Sequence, residues 1–134
     1  MNNSEKKVNI TRIQDGICEE HEYNGNIKEV KGKLFISFVE VQEDGSSVTH
    51  LLKVGPDEME WVRSGAVRSK TAFKAGRNLP FLFDTPHGKI EMKLITHDYV
   101  YTKKDTHEIN VSYSLEQDGL FISRYETRIV VFTG

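Results

Sequence analysis

Leu34 to Arg63 reads LFISFVEVQEDGSSVTHLLKVGPDEMEWVR, three runs rich in Val, Ile, Leu, Phe and Thr set apart by Asp44-Gly45 and Gly55-Pro56-Asp57. Short apolar runs bounded by such turn residues are strands, and Pro56 makes the second loop hard to pair through. Within Glu58 to Arg63 the period is two: Met59, Trp61 and Arg63 share one face, Glu58, Glu60 and Val62 the other. Met59 and Trp61 mark the core face, so the same phase directs Arg63 inward near the strand's end. Leu34 to Gln42 is apolar on both faces, at Leu34, Phe35, Ile36, Phe38, Val39 and Val41. A strand covered on both sides reads this way, as does one lining a barrel and packed outside by another element.

The same punctuation continues in both directions, with Asp15-Gly16, Asn24-Gly25, Pro86-His87-Gly88 and Asp118-Gly119 between further strand-like runs. Asn-Gly and Asp-Gly supply the turn geometry that matches strand twist, so the pattern predicts an antiparallel meander. No stretch reads as a long amphipathic helix. The remaining strands fall at about 7–14, 17–30, 47–54, 66–74, 79–85, 89–101, 107–115 and 120–132. Asn24-Gly25 marks either a hairpin or a bulge bending one long strand, and Pro80 confines its strand to an edge or a bulge. Ile90, Met92 and Leu94 face inward, as do Ile109, Val111, Tyr113 and Leu115. A long meander folds into a sandwich or closes into a barrel, and a closed barrel can enclose a site.

Residues 1–6 are polar and predict a disordered lead-in, leaving 7–134 as one domain, large enough to bury roughly two thirds of its unfolded surface. Charged residues at 28% and hydrophobic ones at 37% describe a globular chain. A formal net charge of −2 gives no general attraction to nucleic acid or anionic membrane. The apolar stretches are far shorter than the roughly 20 residues of a membrane-spanning helix. A transmembrane barrel is disfavoured by charges on several strand faces. The single cysteine, Cys18, precludes an internal disulfide, and with no secretory signal the expected setting is cytoplasmic.

His21, His50, His87, His97 and His107 form no HxH or HExxH spacing, so neither a metal nor a cofactor is expected. Cys18-Glu19-Glu20-His21-Glu22 is split by strand alternation, and its carboxylates would hold a thiol protonated. Nucleophile-elbow, Walker and GxGxxG motifs are absent. Arg63, Arg68, Lys70, Lys74 and Arg77 gather five cations in fifteen residues without an acid. Arg68, Lys70, Lys74 and Arg77 thus make a candidate basic face, either attracting an anion or lying solvated and neutralised by a neighbouring strand such as Lys89 to Lys93 with Glu91. It lacks the aromatic interleaving that single-stranded nucleic acid requires. Arg63, directed inward, needs a partner, because an unpaired buried charge costs several kcal/mol. Glu40 shares the face of Leu34, Ile36 and Phe38 and is the expected acid. Either an Arg63–Glu40 pair plugs the barrel end, or Arg63 holds a ligand carboxylate or phosphate in a pocket lined by Trp61, Tyr113 and Phe73.

The stretch VRSGAVRSKTAF (Val62 to Phe73), with FISFVE (Phe35 to Glu40) and TPHG (Thr85 to Gly88), resembles the YwiB-like family of small uncharacterised bacterial β-barrel proteins. The likeness runs over nearly the whole chain, and RSGAV (Arg63 to Val67) is its most specific piece. Glu40, Arg63, Gly65 and Gly88 match the family pattern. The resemblance implies a calycin-like, lipocalin-type antiparallel barrel without an assigned activity, and it brings no catalytic residues with it.

Together these readings predict an all-β antiparallel barrel of about eight main strands in eight to ten segments, acting as a binding module for a small, anionic amphipathic ligand. Arg63, Glu40, Trp61, Phe73 and Tyr113 are the candidate ligand-binding residues. One alternative is an interaction or structural protein using the basic face or a sheet edge, including homodimer formation through that edge. The other is an enzyme with Glu40 as base and Arg63 as oxyanion partner.

Overall fold

A computed structural model describes residues 5–132, apart from the side chains of residues 83–85. The residues 1–4 of the expected lead-in lie outside that range. Ten strands follow one another: β1 (Lys6–Gln14), β2 (Ile17–Val30), β3 (Lys33–Val41), β4 (Ser47–Val54), β5 (Glu58–Gly65), β6 (Arg68–Lys74), β7 (Asn78–Thr85), β8 (Gly88–Lys103), β9 (Thr106–Gln117) and β10 (Leu120–Phe132). Each pairs antiparallel with its chain neighbours, and β1 pairs with β10 from Val8–Val131 to Gln14–Tyr125, closing the sheet into a barrel. Ten is the upper end of the eight to ten segments expected, and a ten-stranded barrel is wider than an eight-stranded one, whose interior side chains just fill.

Three two-residue turns, Asp15-Gly16, Lys31-Gly32 and Asp118-Gly119, have both residues at φ between 50° and 82°, the type I′ geometry that strand twist favours. Lys31-Gly32 carries no Asn or Asp to announce it. Asn24-Gly25, which does, is not a turn: β2 runs straight through it and changes partner there. Residues 17–25 pair with β1, residues 25–30 with β3, and Gly25 stands opposite both Lys6 and Phe38. A Cβ at Gly25 would lie 2.6 Å from the Ser37 carbonyl oxygen, so glycine is what lets three strands meet at this bend.

Single extra residues appear where β8 meets β9 (between Thr96 and Asp98) and where β10 meets β9 (between Phe121 and Ser123). The first resets the phase of β8, so that Leu94 and Thr96 before it, and Tyr99 after it, are all buried. β6 and β7 pair only over Arg68–Asp84 to Lys70–Leu82. Pro80 lies beyond that ladder and stands opposite Lys93 of β8.

The two ends of the barrel differ. Toward the β2–β3, β4–β5 and β8–β9 turns the interior is filled by Leu34, Ile36, Leu52, Val54, Met59, Ile109 and Ile129, each at most 1% exposed. Tyr99 crosses this end to donate to the Gly55 carbonyl at 2.8 Å. Beside it Glu29 accepts from Lys103 and lies 3.3 Å from His107 Nε2, tying β2 to the β8–β9 hairpin. The outer face of β3 is only partly covered: Phe35 and Ser37 are half-buried, but Val39 is 53% and Val41 71% exposed. Its apolar character on both sides therefore does not mean cover on both sides, contrary to the sequence reading.

Candidate functional site

Toward the opposite end, where the β1–β2, β3–β4, β5–β6, β7–β8 and β9–β10 turns lie, the barrel encloses a cavity of about 610 Å³. The alternation that buries Met59 and Trp61 continues to Arg63, so the guanidinium enters this space. It donates to Ser69 Oγ at 3.3 Å and lies 4.8 Å from the centre of the Trp61 ring. Burial pulls Arg63 below the ordinary guanidinium value, with Tyr113, Glu40 and Tyr23 opposing that shift and Arg12 adding to it. Among the described residues no carboxylate lies within ion-pair distance of Arg63.

Glu40 lines the same cavity but closes on a different partner. Its Oε1 lies 2.9 Å from His50 Nε2, and Trp61 Nε1 donates to His50 Nδ1 at 2.9 Å. The Arg63–Glu40 pair considered from the sequence does not form. An indole N–H can only donate, so Nδ1 must be the accepting nitrogen and the proton sits on Nε2, facing Glu40. Hence His50 is neutral, and protonating it would set two donors against each other. Burial holds its pKa below 6.5, against the pull of Glu40 and with the help of Arg63.

Rings make up much of the remaining wall, beside aliphatic side chains such as Ile10, Val48, Leu94 and Leu115, and His50 backs them. Tyr23, Phe38 and His50 stack across β2, β3 and β4 at 4.6 and 4.5 Å, and Trp61 on β5 meets His50 edge-on at 5.9 Å. On the far side Tyr113 stacks on Tyr125 at 5.1 Å, and Phe73 leans on Tyr113 at 4.8 Å. Arg12 lines the mouth and reaches Glu19 at 3.6 Å. Thr71, 5% exposed, is a further lining residue whose hydroxyl finds no hydrogen-bond partner among the described residues.

The structure thus brings Arg63, Glu40, Trp61, Phe73 and Tyr113 to one cavity. Arg12, Tyr23 and Tyr125, none of them among those candidates, line it too, and His50 adjoins it, bonded to Glu40 and stacked on Phe38. Phase alone marks His50, since Val48, His50, Leu52 and Val54 alternate inward along β4. The candidate basic face lies outside the barrel: Lys70 pairs with Glu60 at 3.4 Å and Lys74 with Glu58 at 3.7 Å, while Arg77 sits in the β6–β7 turn. Its neutralising strand is β5, not the β8 segment carrying Glu91. No group of three or more metal-ligating side chains occurs among the described residues, and no helix there is long and apolar enough to cross a membrane.

The His50 geometry has a pH consequence. Its folded-state pKa lies below the unfolded one, so the unfolded chain takes up a proton first as pH falls. The resulting stability is complete above about pH 6.5 and is lost as pH drops through the folded value. His107, also depressed by burial, acts in the same sense. Unfolding free energies from urea titrations between about pH 8 and pH 5 should fall toward acid, and His50→Gln should flatten that slope. A slope unchanged in the variant would exclude His50 as a contributor.

Fold and site define an up-and-down antiparallel barrel, packed solid at one end and hollow at the other. The chain belongs to the family described as "Domain of unknown function (DUF1934)", whose model matches residues 6–129. Its fold is that of the ywiB protein from Bacillus subtilis: the crystal structure of that protein aligns with a TM-score of 0.78 and 22% identity, over 97% of this chain and 90% of that one. The YwiB-like resemblance carried by Arg63 to Val67 is correct as to family and barrel. No curated protein matches the sequence.

Proposed function

We propose that this barrel is a binding module that takes a small anionic amphipathic molecule through its open end. The observation that carries the reading is Arg63: a cation placed inside the cavity, with one long hydrogen bond and no carboxylate partner among the described residues. Half-buried there, the guanidinium has lost part of its water, a cost that an arriving anion offsets. Trp61, Phe73 and Tyr113 supply apolar walls. About 610 Å³ suits one small ligand. The exposed thiol of Cys18 suits a reducing, cytoplasmic setting. Native mass spectrometry of the purified protein should show a co-purifying small anion. A clean apo mass, together with no binding of any amphipathic anion by calorimetry, would sink the proposal.

A second reading, catalysis, has one observation in its favour: Glu40 is held by a His50 whose tautomer Trp61 fixes, in the same cavity as Arg63. A bound ligand recovered chemically unchanged from the wild type would favour binding over turnover. The interaction reading has less to use, since closure of the barrel leaves β1 and β2 paired with each other and the short β6–β7 ladder as the main interruption.

A further inference from the structure

We infer that the ligand class is a compact planar aromatic acid rather than a long-chain acyl acid, an inference that rests on the binding reading above and narrows it. Depth is the first argument. The cavity occupies only the open half, because Leu34, Ile36, Leu52, Met59, Ile109 and Ile129 fill the other half, each at most 1% exposed. A long acyl tail needs a deep channel, and this one, although Ile10, Val48, Leu94 and Leu115 contribute to its lining, ends at that packed half.

The wall chemistry is the second argument. The chain has 1 Trp, 5 Tyr and 7 Phe, and Tyr23, Phe38, Trp61, Phe73, Phe81, Tyr113 and Tyr125 all line this one cavity. Tyr23, Phe38 and His50 are stacked face to face at 4.5–4.6 Å with planes within 21° of parallel, a spacing set by neighbouring strands. Rings stacked along the sheet stand edge-on to the lumen. Tyr113 and Tyr125, 18° from parallel, do the same on the far side. Ring edges carry the positive part of the aromatic quadrupole and attract the negative face of another ring. A planar ligand lying between the two walls meets edges on both of its faces. A saturated chain receives no such contact. Because the rings already hold one another, the slot is rigid before the ligand arrives, which favours a rigid guest over a flexible one.

Position of the acid is the third argument. Arg63, Arg12, Tyr23 and Tyr113 all line this one cavity, which Glu40, turned to His50, shares. That set offers fork-shaped donors to a carboxylate, placed at the rim of the aromatic slot.

Calorimetric titration of the full chain with three probes tests this: 2-naphthoate, decanoate, and the neutral 2-naphthamide. Naphthoate should bind about tenfold or more tightly than either of the others. Tyr23→Leu, which removes one ring from the stack, should weaken naphthoate more than decanoate. Decanoate binding as well as naphthoate overturns the aromatic class while leaving the anionic-amphipath reading intact. Naphthamide binding as well as naphthoate overturns both, since the charge would then contribute nothing. Binding of neither acid overturns the inference, and the presence or absence of a co-purifying anion in the native mass spectrum then decides the broader reading.

Discussion

Arg63→Leu is expected to weaken binding of an anionic aromatic ligand by about a hundredfold while leaving the empty barrel as stable as the wild type or about 1 kcal/mol more so. The opposite signs follow from what surrounds the guanidinium. Its stabilising contacts are a 3.3 Å hydrogen bond to Ser69 and a place 4.8 Å from the Trp61 ring. A contact of the second kind contributes about 0.5–2 kcal/mol, and so long a hydrogen bond contributes little. Against them stands the partial desolvation of a half-buried charge with no acid beside it. Leucine removes that cost and covers the Trp61 face. With a ligand bound the balance reverses, because the anion supplies the missing partner. Arg63→Lys should recover part of the affinity, since an ammonium keeps the charge but not the fork. Calorimetry and urea denaturation on the same preparations read both signs. A variant that loses more than about 2 kcal/mol of stability and binds as before would make Arg63 a structural plug.

The same residue shows how far the sequence could be read. Met59, Trp61 and Arg63 alternate without interruption, so their inward direction follows from the period of a strand alone. Glu40 follows by the same rule from Leu34, Ile36 and Phe38. What the period does not contain is which inward residues touch. Glu40 and Arg63 lie on β3 and β5, separated by β4, and the residue between them is His50, opposite Phe38 on one side and Arg63 on the other. Its imidazole takes the carboxylate that alternation alone would assign to the arginine. Turn chemistry had a similar limit. Asn24-Gly25 has the residues of a tight turn, yet β2 passes through because three strands must approach at Gly25, whereas Lys31-Gly32 turns with a poorer signal. Outward faces were legible only as sequence: Val39 and Val41 look buried because they are apolar, and a barrel with no second layer leaves them in water. The hollow half was not legible at all. It depends on strand number and on the width that ten strands give, and neither resides in any one segment.

Gly65→Ala is expected to destabilise the barrel by about 2–4 kcal/mol, a large part of the roughly 5–15 kcal/mol that holds a domain together. Two separate effects add at this position. Gly65 has φ 109°, where an L side chain is strained, and a Cβ there would lie 2.6 Å from the Ser47 carbonyl oxygen. That oxygen cannot move away freely, because it accepts from the Ala66 N–H at 3.0 Å, holding the start of β4 against the β5–β6 turn. Gly45 separates the two effects. It too has positive φ, at 88°, but a Cβ there meets nothing within 4 Å, so Gly45→Ala carries strain alone and should cost about 1 kcal/mol. The difference between the variants isolates the contact with Ser47. Equal losses in urea denaturation would mean that this contact carries no weight. The larger effect should also reach the site, since Gly65 stands opposite Val48, a wall residue, and two positions after Arg63. Pushing β4 and β5 apart there loosens the end of the strand that aims the guanidinium. Trp61, the chain's only tryptophan, reports it directly: its emission should shift to the red in Gly65→Ala under conditions where both variants remain folded, and stay at the wild-type position in Gly45→Ala.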